Sequence, residues 1–171
     1  MPQLAITVLG HDRPGIIAET TASLAGLGCN IEDSTMTLLR GHFAMMLLTD
    51  GAAEAATVEE ALAGLTADGS LSVSVREVPA ESTEEGGPSY LLSVHGGDRP
   101  GIVSSVIGQV AAVGGNVTDL STRLAGDLYV LTAEVDLPAG TDVAALTRAL
   151  ENSASELGVT ASLSPLDSDD L

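Results

Sequence analysis

The sequence predicts an α+β fold in which one βαββαβ module occurs twice in tandem. The first observation is a repeat: Asp12–Ile16 returns as Asp98–Ile102, and this offset of 86 holds without a gap over residues 3–50 and 89–136. The second is the apolar pattern, which alternates in segments typical of strands and recurs every three or four residues in segments typical of helices. A gap-free repeat of this length indicates duplication of one folding unit.

The first helix of each module is predicted from such a stripe. Pro14 is tolerated in the first turn of a helix, and Gly28 ends it. The residues predicted to form the buried stripe are Ile17, Thr20, Leu24 and Leu27 in the first module, and Val103, Val106, Val110 and Val113 in the second.

The remaining elements complete the module. Apolar, β-leaning residues predict a strand from Leu4 to Leu9, and alternation predicts strands from Asn30 to Leu39 and from Leu71 to Val75. The tight turn Arg40-Gly41 predicts a return strand from Phe43 to Thr49. A capping box, Thr57 with Glu60, predicts a second helix to about Ala67, and Thr141 or Asp142 caps its counterpart to about Leu157. The order βαββαβ implies an antiparallel four-stranded sheet with two helices on one face, the ferredoxin-like arrangement.

The predicted domains are residues 1–78 and 89–166. Between them, residues 79–88 are acidic, bounded by prolines and free of large apolar side chains, which is typical of a linker. Residues 167–171 form an acidic tail.

The charge is strongly negative, with 24 acidic and 6 basic residues and a net charge of -18. All six bases are Arg, too few and too scattered for direct binding to nucleic acid or to an anionic membrane. The acidity is explained either by solubility and a salty cytoplasm or by a basic protein partner. The N-terminus lacks the features of a signal peptide, and a soluble cytoplasmic protein is expected.

The segment from Phe43 to Leu48 is apolar on both strand faces. Helices cover one face of such a sheet, so the other face is expected to pack on the other module or on a second chain. A homodimer is therefore predicted. Met36, Met45 and Met46 are expected to fill the core.

The loop Asp12-Arg13-Pro14-Gly15 before the first helix has the composition of a ligand site. The free N–H groups of the first helical turn attract an anion, and Asp12 is placed to accept from an ammonium group. Together these groups match a free α-amino acid. Alternatively, Asp12 caps the helix while Pro14 and Gly15 only shape the turn.

Asn30 and Asn116 follow the glycine that ends the first helix of each module. An asparagine there is either a turn residue or a donor and acceptor for a ligand beside the first loop. The residues alone leave both interpretations open.

No constellation in the sequence predicts catalysis, a metal site or a cofactor. His11, His42 and His95 are far apart, and one cysteine, Cys29, gives no metal-ligand spacing and no internal disulfide. Cys29 is interpreted as a buried structural thiol. An enzyme is not predicted, because no nucleophile, base and oxyanion site assemble.

The pattern G-x-D-R-P-G-I followed by G-x-N-I-x-D resembles the ACT domain, and the stretches Leu9–Ile16 and Gly28–Ser34 resemble tandem-ACT regulators of the glycine cleavage repressor family. The resemblance implies that domains pair side by side into an eight-stranded sheet and bind amino acids between modules. The positions it implies as ligand-binding are Asp12, Arg13, Gly15, Ile16, Asn30, Ile31, Asp98, Arg99, Gly101, Ile102, Asn116 and Val117.

The same resemblance implies a function. Serine-binding members often carry Asn where Asp12 and Asp98 stand, and the second module departs further with Gly97 for His11 and Gly115 for Cys29. The predicted function is an amino-acid sensor, for glycine or serine, that acts through a protein partner such as a transcription factor. The alternative is an interaction module that binds no small molecule and docks through its acidic surface.

Overall fold

The computed structural model describes residues 3–80 and 87–166. The chain divides into two compact units, Met1–Ser82 and Thr83–Leu171, called the first and second module below. Residues 81–86 of the predicted linker and the predicted tail at residues 167–171 lie outside the described residues. No helix in the described part of the chain is long and apolar enough to cross a membrane.

The first module is an antiparallel sheet in the order β2-β3-β1-β4 with helices on one face. Its elements are β1 Gln3–His11, α1 Ile16–Gly26, β2 Asn30–Leu39, β3 His42–Asp50, α2 Ala55–Ala61, α3 Ala63–Thr66 and β4 Leu71–Val78. The predicted α+β, ferredoxin-like fold is confirmed.

The second module repeats this arrangement with the strand order β6-β7-β5-β8. Its elements are β5 Ser89–Gly97, α4 Ile102–Ala112, β6 Asn116–Ala125, β7 Leu128–Asp136, α5 Val143–Glu156 and β8 Val159–Pro165. Each module therefore buries its own core between one sheet face and its helices.

The buried stripe of α1 differs from the prediction by one residue. Ile16, Thr20 and Leu24 are buried, whereas Ile17 is 45% exposed. The helix begins at Ile16, and residues four apart from this start face the sheet. The Thr20 hydroxyl is satisfied because it donates to the Ile16 carbonyl at 2.7 Å.

The second module shows the same shift along α4. Ile102, Val106 and Val110 are buried, whereas Val103 and Val113 are more than a third exposed. The predicted stripe was therefore wrong at the same first position in both modules, which is expected if the two helices share one docking geometry.

The prediction that Thr57 caps the second helix was wrong. The α2 helix begins at Ala55, with Glu54 at the N-cap and no side-chain capping bond. Ala53 and Ala55 pack against the core, so the helix extends past Thr57 towards the N-terminus. In the second module, Asp142 is confirmed as the cap, since its Oδ1 accepts from the Ala145 N–H at 2.9 Å.

The prediction that all three methionines fill the core was wrong for two of them. Met45 is 5% exposed in the core, whereas Met36 and Met46 are each 45% exposed. Met46 lies on the sheet face opposite the helices because successive strand residues point to opposite faces. Met36 lies on β2, the edge strand, where α1 leaves it uncovered.

Candidate functional site

The loop between β1 and α1 is fixed by backbone hydrogen bonds on both sides. The N–H of His11 donates to the Ser70 carbonyl at 3.0 Å, and the N–H of Asp12 donates to the Gly41 carbonyl at 2.9 Å. At Gly10 the neighbouring chain is so close that a Cβ atom would lie 2.1 Å from the Ser70 oxygen. The loop is thus held at one end of the sheet.

The N-cap of α1 is Gly15, in the left-handed conformation with φ 93°, and Gly101 has φ 95° at the start of α4. This conformation favours glycine strongly over residues with a Cβ atom. No side chain caps either helix, so the interpretation of Asp12 as a cap was wrong. Pro14 lies before the helix and not in its first turn, because the left-handed residue at position 15 separates them.

The start of α1 presents unpaired backbone donors. The first intrahelical bond runs from the Glu19 N–H to the Gly15 carbonyl, at 2.9 Å. The N–H groups of Ile16, Ile17 and Ala18 therefore have no partner within the helix. They lie at its positive end, where an anion is stabilised.

Asp12 and Asp98 are exposed beside these helix starts. Within the described ranges, neither carboxylate accepts a hydrogen bond from another residue. Each carboxylate is therefore open to solvent and to a cationic ligand group.

Arg13 is committed to an ion pair within its own module. Its Nη1 and Nη2 donate to Oε1 and Oε2 of Glu19 at 2.9 and 3.1 Å. The hydrogen bond to Glu19 raises the pKa of Arg13, and the same bond lowers the pKa of Glu19. Arg13 therefore holds the turn against α1.

Arg99 differs from Arg13 because Ser105 stands where Glu19 would be. Its guanidinium lies beside Gly158, and the ion pairs of the described residues do not include it. The second module thus has an exposed arginine in its loop that is not held by an ion pair within the described residues, unlike Arg13 of the first module. Sequence comparison of the two modules could have found this difference, since it rests on one substitution.

Asn30 does not lie beside the first loop of its own module. His11 pairs with His42 at one end of the sheet, whereas Asn30 pairs with Asp50 at the other. The eight residue-to-residue steps from His42 to Asp50 span roughly 27 Å along the strand. Asn116 likewise pairs with Asp136, at the end remote from Gly97.

Ile31 lines a shallow cavity of about 170 Å³ on the helix side of β2. The other lining residues, none of which was predicted as ligand-binding, are Ile17, Thr21, Ser34, Thr35, Met36, Met45 and Leu47. The sequence did not indicate that these residues line a cavity, because apolar residues at the edge of a sheet have the same sequence pattern as core residues. Val117, the counterpart of Ile31, packs partly buried against the second core.

The remaining candidates are the histidines and the single cysteine. His11 and His42 are exposed neighbours across β1 and β3, but the described residues contain no cluster of three or more metal-ligating side chains. Cys29 is 8% exposed, and burial raises the pKa of its thiol. The prediction that Cys29 is buried is confirmed.

Both modules match the sequence profile of the ACT domain, over residues 2–76 and 89–164. The chain belongs to the ACT domain family. The predicted resemblance to tandem ACT-domain regulators is confirmed by the relatives that follow.

The chain is 29% identical to the glycine cleavage system transcriptional repressor of Escherichia coli over 169 residues, which covers 94% of this chain and 88% of that protein. It is also 48% identical over 50 residues to a UPF0237 protein of Methanopyrus kandleri, covering 29% of this chain and 56% of that one.

Two solved structures share the fold along nearly the whole chain. A protein of unknown function from Galdieria sulphuraria superposes with a TM-score of 0.82 at 28% identity and covers 97% of this chain and 99% of its own. A candidate glycine cleavage system transcriptional repressor superposes with a TM-score of 0.72 at 21% identity, covering 97% and 98%. The structures share the fold, and the profile match together with the Escherichia coli relative makes the chain an ACT regulatory protein related to the glycine cleavage repressor.

Proposed function

We propose that this protein senses a small amino acid, glycine or serine, through the loops that precede α1 and α4. The observation that carries the proposal is the repeated loop, in which a left-handed glycine opens a helix whose first N–H groups are unpaired beside an open aspartate. This arrangement offers the carboxylate of an amino acid a positive helix end and offers its ammonium group a negative side chain.

The charges of the two loops favour different affinities. In the second module, Arg99 is not held by an ion pair within the described residues, so its guanidinium can turn from Gly158 to a ligand carboxylate and donate a charge-assisted bond. In the first module, Glu19 occupies Arg13 and adds a negative charge near the same place. We therefore expect the second module to bind the amino acid more tightly than the first.

Asn30 and Ile31 enter the site only if another ACT module is placed beside the loop. The separation of roughly 27 Å between the two ends of a sheet excludes a ligand of this size from touching both within one module. Antiparallel pairing of edge strands would bring the start of one β2 to the opposite end of the next. The outer edge of β2 is exposed along nearly its whole length, which supports such pairing.

We further propose that the protein acts in the cytoplasm through a protein partner, as a regulator and not as an enzyme. The likeness to a transcriptional repressor supports a role in the control of amino-acid metabolism. The net charge of -18 disfavours contact with DNA, so the regulated contact is with a protein such as a transcription factor. The proposed modules are residues 1–78 and 89–166, with the linker at 79–88 and the tail at 167–171.

The test is thermal unfolding of the full chain against each common amino acid. A ligand at ~100 times its dissociation constant adds about 2.7 kcal/mol of stability, which raises the unfolding midpoint. We expect glycine or serine to raise it, and Asp98→Ala to remove more of this rise than Asp12→Ala. Asp127→Ala, at an exposed turn between β6 and β7, is the matched control and should keep the full rise.

The alternative function is a docking module without a small ligand. The ion pair between Arg13 and Glu19 favours it, because this pair fills one loop with the chain's own charges. A flat response to every amino acid, together with binding to a basic regulator that weakens with added salt, would establish this alternative and reject the sensor.

A further inference from the structure

The sheet face opposite the helices differs between the two modules. In the first module we call it the open face, defined by the residues of β1–β4 that point away from the helices. Its centre carries Leu9 and Met46, 50% and 45% exposed, and the partly buried Leu48. The corresponding positions of the second module, at the offset of 86, are His95, Thr132 and Glu134.

The two faces differ at several positions, since Leu91 and Val130 of the second module stand where the first has Ala5 and Ala44. Polar and charged side chains replace three large apolar ones at identical strand positions, without any change of topology. A sheet face with exposed Leu and Met at its centre is the composition of an interaction surface.

The residues of the open face are arranged in rows across the sheet, and one row ends in opposite charges. Asp33 on β2 pairs with Leu48 on β3, Leu48 pairs with Ala5 on β1, and Ala5 pairs with Arg76 on β4. The row thus runs from a carboxylate at one sheet edge to a guanidinium at the other. Both charged residues are exposed, and no ion pair within the described ranges contains either one.

The two central strands, β1 and β3, are complementary in side-chain size. In each of three successive rows, a large residue on one strand pairs with a small residue on the other. These pairs are Leu48 with Ala5, Met46 with Thr7 and Leu9 with Ala44.

We propose that two copies of this chain pack open face against open face about a two-fold axis parallel to the strands. This axis seats β3 of one copy on β1 of its partner, so each large side chain lies over a small one. It also seats the β2 edge on the β4 edge, which places Asp33 opposite the partner's Arg76 twice in the dimer. A two-fold interface must be self-complementary in this way.

The area of the open face suits a specific dimer. Four strands about 4.8 Å apart and eight residues at about 3.3 Å each give roughly 500 Å². Two such faces bury roughly 1,000 Å², the lower limit for a specific interface. Aligned packing of two sheets, at about 30°, keeps the central rows in contact.

The second module would not form the same contact with itself. Its row is Asp119, Glu134, Leu91 and Ser164, which has two acids and no base. A two-fold contact there would bury Glu134 and place Asp119 opposite the partner's Ser164, with no cation in that row. The inference does not depend on the proposed function, because a chain that bound no amino acid would still dimerise.

The test is sedimentation of the full chain over a concentration series. We expect a dimer whose dissociation constant rises at least about tenfold in Leu48→Glu, because two buried carboxylates then enter the interface. Thr132→Glu is the control, because it adds the same charge to an exposed position of β7 on the corresponding face of the second module, and it should leave the dissociation constant unchanged. The second module folds with Glu134 at the position that corresponds to Leu48, so a glutamate there is compatible with the fold. Circular dichroism should show both variants folded.

Charge exchange tests the orientation. Asp33→Arg and Arg76→Asp each place like charges opposite one another twice, so each variant alone should weaken the dimer about tenfold. A mixture of the two variants should recover the wild-type constant, because both contacts then join opposite charges. A monomer at every concentration, a dimer indifferent to Leu48→Glu, or a mixture that does not recover would overturn the proposal.

Discussion

One residue decides whether the arginine of each repeated loop is available. Glu19 holds Arg13 through two hydrogen bonds, whereas Ser105 at the corresponding position leaves Arg99 beside Gly158. The two modules share the loop sequence Asp-Arg-Pro-Gly, yet their loops differ in charge. A repeat in sequence therefore does not imply two equivalent sites.

The ion pair of Arg13 and Glu19 predicts a pH dependence of stability. The pKa of Glu19 is lowered in the folded chain. The contribution of Glu19 to the stability of the fold is therefore present above the ordinary carboxyl pKa and is lost as the pH falls through the lower pKa of the folded chain. Glu19→Gln should therefore lower the unfolding midpoint at pH 7, and this difference should vanish as the pH falls below about 4. Thermal unfolding of both proteins across this range measures it.

The control for this prediction is Glu59→Gln on α2. Glu59 is exposed and belongs to no ion pair in the residues that the structure describes. The unfolding midpoint of the Glu59→Gln variant should equal that of the wild type at every pH. If Glu19→Gln and Glu59→Gln behaved alike, the ion pair would not contribute to stability.

At the scale of elements, the second helices of the two modules begin in different ways. The α5 helix has a side-chain cap at Asp142, while α2 begins at Ala55 without one and is interrupted at Leu62. Local sequence predicted a cap in both. Packing of Ala53 and Ala55 on the first core decided the start of α2, and this contact is not visible in a capping pattern.

Substitution of the two predicted caps should separate these cases. Asp142→Ala removes the hydrogen bond to the Ala145 N–H and should cost about 1 kcal/mol of unfolding free energy. Thr57→Ala lies inside α2, where alanine favours the helix, and should be neutral or slightly stabilising. Denaturant unfolding of both variants measures the difference, and equal losses would show that Thr57 caps after all.

At the scale of the whole molecule, charge dominates. A net charge of -18 on 171 residues makes the compact chain repel itself, because six arginines cannot neutralise 24 acids. This repulsion also acts between copies. The open face suits a contact between copies because its central rows on β1 and β3 carry no acid. Long-range repulsion of this kind depends on ionic strength.

Added salt should therefore stabilise the folded chain. Raising the ionic strength from about 0.01 to 0.15 M shortens the screening length from about 30 to 8 Å, which weakens repulsion between acids of the folded surface. The unfolding midpoint should rise over this range, and KCl and NaCl at equal ionic strength should act equally. An unchanged or falling midpoint would mean that local ion pairs outweigh the overall repulsion.

Most of the fold was predictable because its signals are local or repeated. Apolar runs mark β1 and β3, Gly28 and Gly114 mark the ends of α1 and α4, and the offset of 86 marks the second module. Helix starts were less predictable. The left-handed Gly15 and the shift from Ile17 to Ile16 depend on how α1 docks on the sheet, a contact between segments distant in sequence.

The sequence by itself determined the duplication, the order of strands and helices, the negative charge and the family-like loops, because each is written in spacing or composition. Only the tertiary structure decided which residues lie close together in space. Strand pairing put Asn30 at the end of the sheet remote from Asp12, and it aligned Asp33, Leu48, Ala5 and Arg76 in one row. Register arises from pairing between strands far apart in the chain, so no local pattern could fix these neighbours.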